Sequence, residues 1–191
     1  MYEQAVLIIL GAFISIITTI INKVVDDRLR NRGEIRIFRR LVYRKNSGGE
    51  SAGFYHGNGG KTLRIPIWIE ILNTRKNPIV IRDFSVVLYN KGTRVVKMKQ
   101  APYQEEKNNE EWIKTYYGDE GRYSFIIPPE SIRKLELLFV LKEFDCPDDF
   151  DELRIVYYNQ KNKKIEKELK KINEPWTIHN FGIDEDWIEV V

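Results

Sequence analysis

The feature that most restricts this chain is a run of seventeen residues without a charge, positions 5–21 (AVLIILGAFISIITTII), followed at once by Asn22, Lys23 and a series of arginines. A helix of that length rises roughly 26 Å, against a bilayer hydrocarbon core about 30 Å thick. Val24 and Val25 can lengthen it while Lys23 reaches out to the headgroups. From Ala5 to Ile14 the run is apolar all round, unlike a helix that lays one face on a soluble core. It also lacks the form of a secretory signal, because Met1-Tyr2-Glu3-Gln4 carries no positive charge and no small-residue cleavage pair stands near Ile20 to Lys23. The expectation is a retained single-pass anchor with a short neck over residues 1–32 and one domain over residues 33–191.

Orientation follows from the basic residues, since Lys and Arg beside a span are held on the cytoplasmic side. None precedes the run, whereas residues 23–45 hold nine against the acids Asp26, Asp27 and Glu34. The N-terminus is therefore expected outside and the domain in the cytoplasm. A lone cysteine, Cys146, agrees with a reducing compartment. The formal charge of +3 is unevenly spread, with a second basic stretch at residues 161–171. Lys23, Arg28, Arg30, Arg32 and Arg36 form an expected lipid-facing collar, each worth about 1 kcal/mol beside an anionic leaflet. Membrane lipid is thus an expected partner, and nucleic acid is not needed to explain the charge. Within the span Gly11, Ser15 and Thr19 fall at i, i+4 and i+8, a face on which another helix could approach closely.

Behind the anchor the hydrophobic period changes to two. Leu63, Ile65, Ile67, Ile69 and Ile71 alternate with Arg64, Pro66, Trp68, Glu70 and Leu72, which predicts a long strand with one buried face. Pro66 suggests a strand edge or a strand start there. Residues 35–43 predict an earlier strand whose alternation breaks at Arg39-Arg40. Residues 79–89 predict another, with a bulge at Arg82-Asp83 that turns Phe84, Val86 and Leu88 inward. Asn90-Lys91-Gly92 predicts a hairpin turn into residues 93–99. Residues 123–127, a Pro128-Pro129-Glu130 corner, residues 134–141 and a hairpin of residues 153–158 with 163–169 complete the series, although Ile165, Leu169 and Ile172 in the second arm also match a helix. The tail from Trp176 onward is apolar enough to dock on the domain.

Two segments break this regularity and supply the candidate binding surface. Residues 46–61 carry six glycines and read as a mobile loop displaying Phe54, Tyr55 and His56. Residues 101–121 form a polar insertion in which Trp112, Ile113, Tyr116 and Tyr117 fit one face of a short helix. Short antiparallel strands with almost no intervening helix predict a mainly β fold, an immunoglobulin-like β-sandwich behind a transmembrane helix, with a small β-barrel as the alternative.

Motifs for chemistry are sparse. His56 and His179 have no partner at ligand spacing, Cys146 has no neighbouring Cys or His, and no serine stands in a G-x-S-x-G context. Asp145, Asp148, Asp149, Asp151 and Glu152 lack the spacing and central glycine of a calcium loop. The expectation is a chain with no catalytic residues, metal or cofactor: a membrane-anchored, non-catalytic interaction or scaffold module that holds a protein partner or self-associates. The alternative is an oligomeric membrane effector of defence or toxin type, whose sandwich senses a small-molecule ligand and whose spans perturb the bilayer.

Overall fold

The computed structural model describes residues 2–46, 49–57, 59–108 and 111–190. The chain opens with helix α1 (Tyr2–Arg30) and continues through β1 (Ile35–Leu41), β2 (Arg44–Asn46), β3 (Gly49–Ser51), β4 (Gly53–Gly57), β5 (Gly60–Asn73), β6 (Ile79–Asn90), β7 (Thr93–Lys97) and β8 (Lys99–Gln100). There follow β9 (Tyr103–Asn108), β10 (Glu111–Tyr116), β11 (Phe125–Ile127), β12 (Ser131–Lys142), β13 (Glu152–Tyr158), β14 (Lys164–Lys171), β15 (His179–Asn180) and β16 (Ile188–Glu189).

The first sheet is built on β5, the strand with the clearest alternation. On one side β12 runs antiparallel along most of it, from Ser131 opposite Asn73 to Lys142 opposite Thr62. On the other side β1 covers the C-terminal half of β5 and β4 the N-terminal half, with Leu41 opposite Ile67 and Gly53 opposite Arg64. Strands β16, β15 and β8 extend β1, β4 and β12 outward. The second sheet centres on β6, flanked by β13 and β14 on one side and by β11 and β7 in line on the other. The sheets share no strand pair among the described residues, so the architecture is the open antiparallel sandwich and not a closed barrel.

Between the sheets, Leu63, Ile65, Ile67, Ile69 and Ile71 of β5 and Leu135, Leu137, Phe139 and Leu141 of β12 meet Phe84, Val86 and Leu88 of β6, and all are buried. Each such side chain contributes roughly 1.5–3 kcal/mol of hydrophobic transfer. The bulge lies at Asp83, which has φ 52°, and the β6–β13 register shifts beside it. Lys91 and Gly92 have φ 49° and 79°, the paired positive values of a two-residue hairpin turn.

Pro66 requires a correction, because it sits inside the sheet and not at an edge. Its carbonyl accepts the Val42 N–H at 3.2 Å on the β1 side. In an antiparallel strand a residue's N and O face the same neighbour, so the missing N–H falls where β4 ends and β1 begins. The reading of residues 46–61 as a mobile loop is corrected too. Its described residues contain β3 and β4, and β4 is hydrogen-bonded between β5 and β15. Ser47, Gly48 and Asn58 of that segment, and Asn109 and Glu110 of the polar insertion, lie outside the described residues.

Helix α1 is long and apolar enough to cross a bilayer and is not buried by the rest of the chain. It is fixed to one end of the sandwich. The Lys76 N–H donates to the Arg30 carbonyl at 3.0 Å, and the Asn77 side-chain amide donates to Asn31 Oδ1 at 3.0 Å. Arg75 Nε–H donates to the Gly33 carbonyl at 3.2 Å. Gly33 has φ 130°, and a Cβ there would come within 2.8 Å of the Thr74 carbonyl, so only glycine allows this approach.

Candidate functional site

The apolar side chains of α1 have nothing of the chain over them, with Ile8 73% and Phe13 66% exposed. Gly11, Ser15 and Thr19 lie along this helix, and Thr19 Oγ1–H donates back to the Ser15 carbonyl at 2.8 Å. The hydroxyl is thereby satisfied inside its own helix, as a low-dielectric environment requires. Of the basic collar, Lys23, Arg28, Arg30 and Arg32 are exposed around the helix end. Arg36 stands instead on β1, where Nε–H and Nη2–H donate to the two carboxylate oxygens of Glu189, each at 2.8 Å. Those two bonds hold the Glu189 carboxyl below its usual range.

The two aromatic groups are separate, and each departs from its expected form. Phe54 is not displayed on a loop. It is an inward residue of β4 with its ring 5.4 Å from Trp176, 5.4 Å from His179, 5.5 Å from Phe181 and 6.2 Å from Phe150. Glycine made this segment look mobile, but Gly53 serves a close approach: at φ 108° a Cβ would stand 2.6 Å from the His179 carbonyl of the docked tail. Tyr55 lies half-buried under Arg64, whose guanidinium carbon is 5.0 Å from the ring centre, and His56 is exposed.

Trp112, Ile113 and Tyr116 belong to strand β10 of a hairpin, not to a helix. The spacing i, i+4 puts residues on one face of a helix and also on one face of a strand, so it did not separate the two. Along β9 and β10, Tyr103 pairs with Tyr116, Glu105 with Lys114 and Lys107 with Trp112, which brings these six to one face. The Lys114 ammonium lies 3.6 Å from the Tyr103 ring centre and 5.5 Å from that of Tyr116. Trp112 is 69% exposed and Tyr116 54%, whereas Tyr117, one residue past the strand, is buried. The Tyr117 hydroxyl donates to Gln104 Oε1 at 2.7 Å and braces the hairpin base. Tyr117 is therefore structural and not part of an accessible surface.

Two arrangements escaped the sequence because their members are far apart in it. On the outer face of the first sheet the Lys134 ammonium lies 4.1 Å from the Trp68 ring centre and 5.5 Å from that of Trp187. At the sandwich edge, inward-facing Arg39 of β1 is ion-paired with Asp184 of the tail. Asp184 Oδ2 also accepts the Leu41 N–H at 2.6 Å, and Arg39 Nη2–H reaches the Leu169 carbonyl in the opposite sheet at 3.3 Å.

Among the described residues no group of three or more His, Cys, Asp or Glu side chains is placed to hold a metal ion. Cys146 Sγ lies 3.2 Å from the Asp148 carbonyl, and burial pushes its thiol above the ordinary value, which makes it a weak nucleophile. On the outer face of the second sheet Lys164 holds the Glu166 carboxyl below its usual range.

A family model described as the YopI Ig-like domain matches residues 34–170. Comparison with curated proteins and with solved structures gives no match. The matched segment starts just after the helix exit and takes in both sheets as far as β14, and the chain belongs to the YopI Ig-like domain family.

Proposed function

We propose that the chain is a membrane-tethered interaction module, with α1 spanning the bilayer, the Ig-like domain on the cytoplasmic face and no catalytic chemistry of its own. The observation that carries this reading is α1 itself: an uncovered apolar helix joined by hydrogen bonds directly to one end of the sandwich. The abundance of Lys and Arg directly after the apolar run supports the orientation. An Ig-like sandwich suits a module that works by contact, because its loops and projecting hairpins vary while its core does not.

The contact surface for a protein partner is the face of the β9–β10 hairpin that presents Tyr103, Lys114, Tyr116 and Trp112. Large aromatic side chains anchor protein interfaces, and Trp112 gains most by being covered. Trp112→Ala is expected to change domain stability by less than about 0.5 kcal/mol, as for an exposed position. In the full-length chain, a photo-crosslinking amino acid at position 112 is expected to join one discrete protein in membranes. Adducts with lipid alone, or none, would remove the hairpin from the account.

A further inference from the structure

The end of the sandwich that receives α1 carries more than the helix. Antiparallel topology brings three turns to that end: residues 74–78 between β5 and β6, residues 128–130 between β11 and β12, and residues 159–163 between β13 and β14. Lys161 and Lys163, at the start of the second basic stretch, therefore lie at the same end of the sandwich as the basic helix exit, while β14 carries the rest of that stretch toward the opposite end. Between the first and the third of these turns lies an open cleft of about 290 Å³. Its polar rim is Arg75, Lys161, Asn159 and Gln160, and its floor includes Ile35, Ile79 and Tyr157.

The cations on this rim are available. Arg75 uses its backbone N–H and Nε–H on Asn73 and Gly33, and among the described residues its terminal guanidinium nitrogens have no partner. Asn159 Oδ1 accepts the backbone N–H groups of Lys161 and Lys163 at 3.0 Å each, which fixes the turn, and among the described residues neither side-chain ammonium pairs with a carboxylate. Lys164, by contrast, is paired with Glu166. The acids near this end, Asp26 and Asp27 of the neck, Glu34 and Glu130, do not line the cleft.

Distance favours a membrane ligand. From Asp26 to Arg30 the neck adds roughly 7 Å beyond a span that ends at Val25. The headgroup layer is itself about 5–7 Å deep. The basic rim thus comes within a Debye length, about 8–10 Å, of the lipid phosphates. The cleft is at the small end of ligand sites, the size of a headgroup and not of a whole lipid.

We propose that this cleft is a binding site for the phosphate of an anionic phospholipid headgroup, with Arg75 and Lys161 as the cationic contacts. The site rests on the reading of α1 as a membrane span. It fixes how the domain stands on the bilayer and which surface, the β9–β10 hairpin included, is presented to a partner.

The test is amide hydrogen exchange on the full-length chain in nanodiscs of phosphatidylcholine alone or with added phosphatidylglycerol. Exchange in residues 74–77 and 159–163 is expected to slow in the anionic discs only. Arg75→Gln with Lys161→Gln is expected to abolish that protection, each cation contributing roughly fivefold. Lys91→Gln, in the turn at the opposite end of β6, is expected to leave it intact. Equal exchange in both discs, with the chain incorporated, overturns the cleft and leaves the anchor standing. Protection by inorganic phosphate in phosphatidylcholine discs, at concentrations where anionic lipid adds nothing, overturns the lipid as its ligand. Failure of the chain to enter discs at all overturns the anchor.

Discussion

Asp184→Ala should destabilise the domain by about 3 kcal/mol, although the residue lies in an irregular tail outside the segment that defines the family. Asp184 compensates Arg39, a guanidinium that the alternation of β1 aims between the sheets and that is only 8% exposed. Removing one partner of such a pair strands the other charge, which costs about 3–5 kcal/mol where burial is complete. Some solvent reaches Asp184, which places the effect at the low end of that range. The Leu41 N–H loses its acceptor as well. Arg39→Met in the Asp184→Ala background should recover much of the loss, because the uncompensated charge is then gone. Denaturant titration of the parent, of Asp184→Ala and Arg39→Met singly, and of the double variant in detergent measures this. An Asp184→Ala chain as stable as the parent, or a double variant worse than the sum, would show that the pair does not clamp the tail.

Phe54→Ala is expected to cost about 3–5 kcal/mol, the range for a buried phenylalanine. The ring contacts Trp176, His179, Phe181 and Phe150, so its loss opens a cavity under the docked tail. A thermal midpoint lower by roughly 10 °C is expected for a domain of this size. His56→Ala, two positions along the same strand and exposed, should be neutral. A small effect at Phe54 with a large loss of binding would restore the loop reading that the packing replaces.

These residues also show what the sequence makes legible. The alternation of β5, the Asp83 bulge and the Lys91-Gly92 turn are local, and a period of two or a demand for positive φ can be read within a few residues. The Phe54 strand was hidden because glycine permits both a flexible loop and a close approach, and the tail that approaches Gly53 lies more than a hundred residues away. The β9–β10 hairpin was hidden because it is wet on both faces. Without a buried side the period of two leaves no hydrophobic trace, and the aromatic spacing fits a helix equally well. The Arg39–Asp184 pair and the cleft at the helix exit arise from strand order, and pairwise long-range placement leaves no mark in composition. The basic stretches are visible one by one in the sequence, but the placement of the 159–163 turn beside the helix exit is not.

The most direct measurement is thiol accessibility on the intact chain. Thr93→Cys, exposed on β7, is introduced with Cys146→Ser, and cells are treated with a membrane-impermeant maleimide before and after permeabilisation. The account predicts labelling only after permeabilisation, on a chain that stays in the membrane fraction through alkaline extraction. Labelling in intact cells, or release of the chain by the alkaline wash, would contradict it.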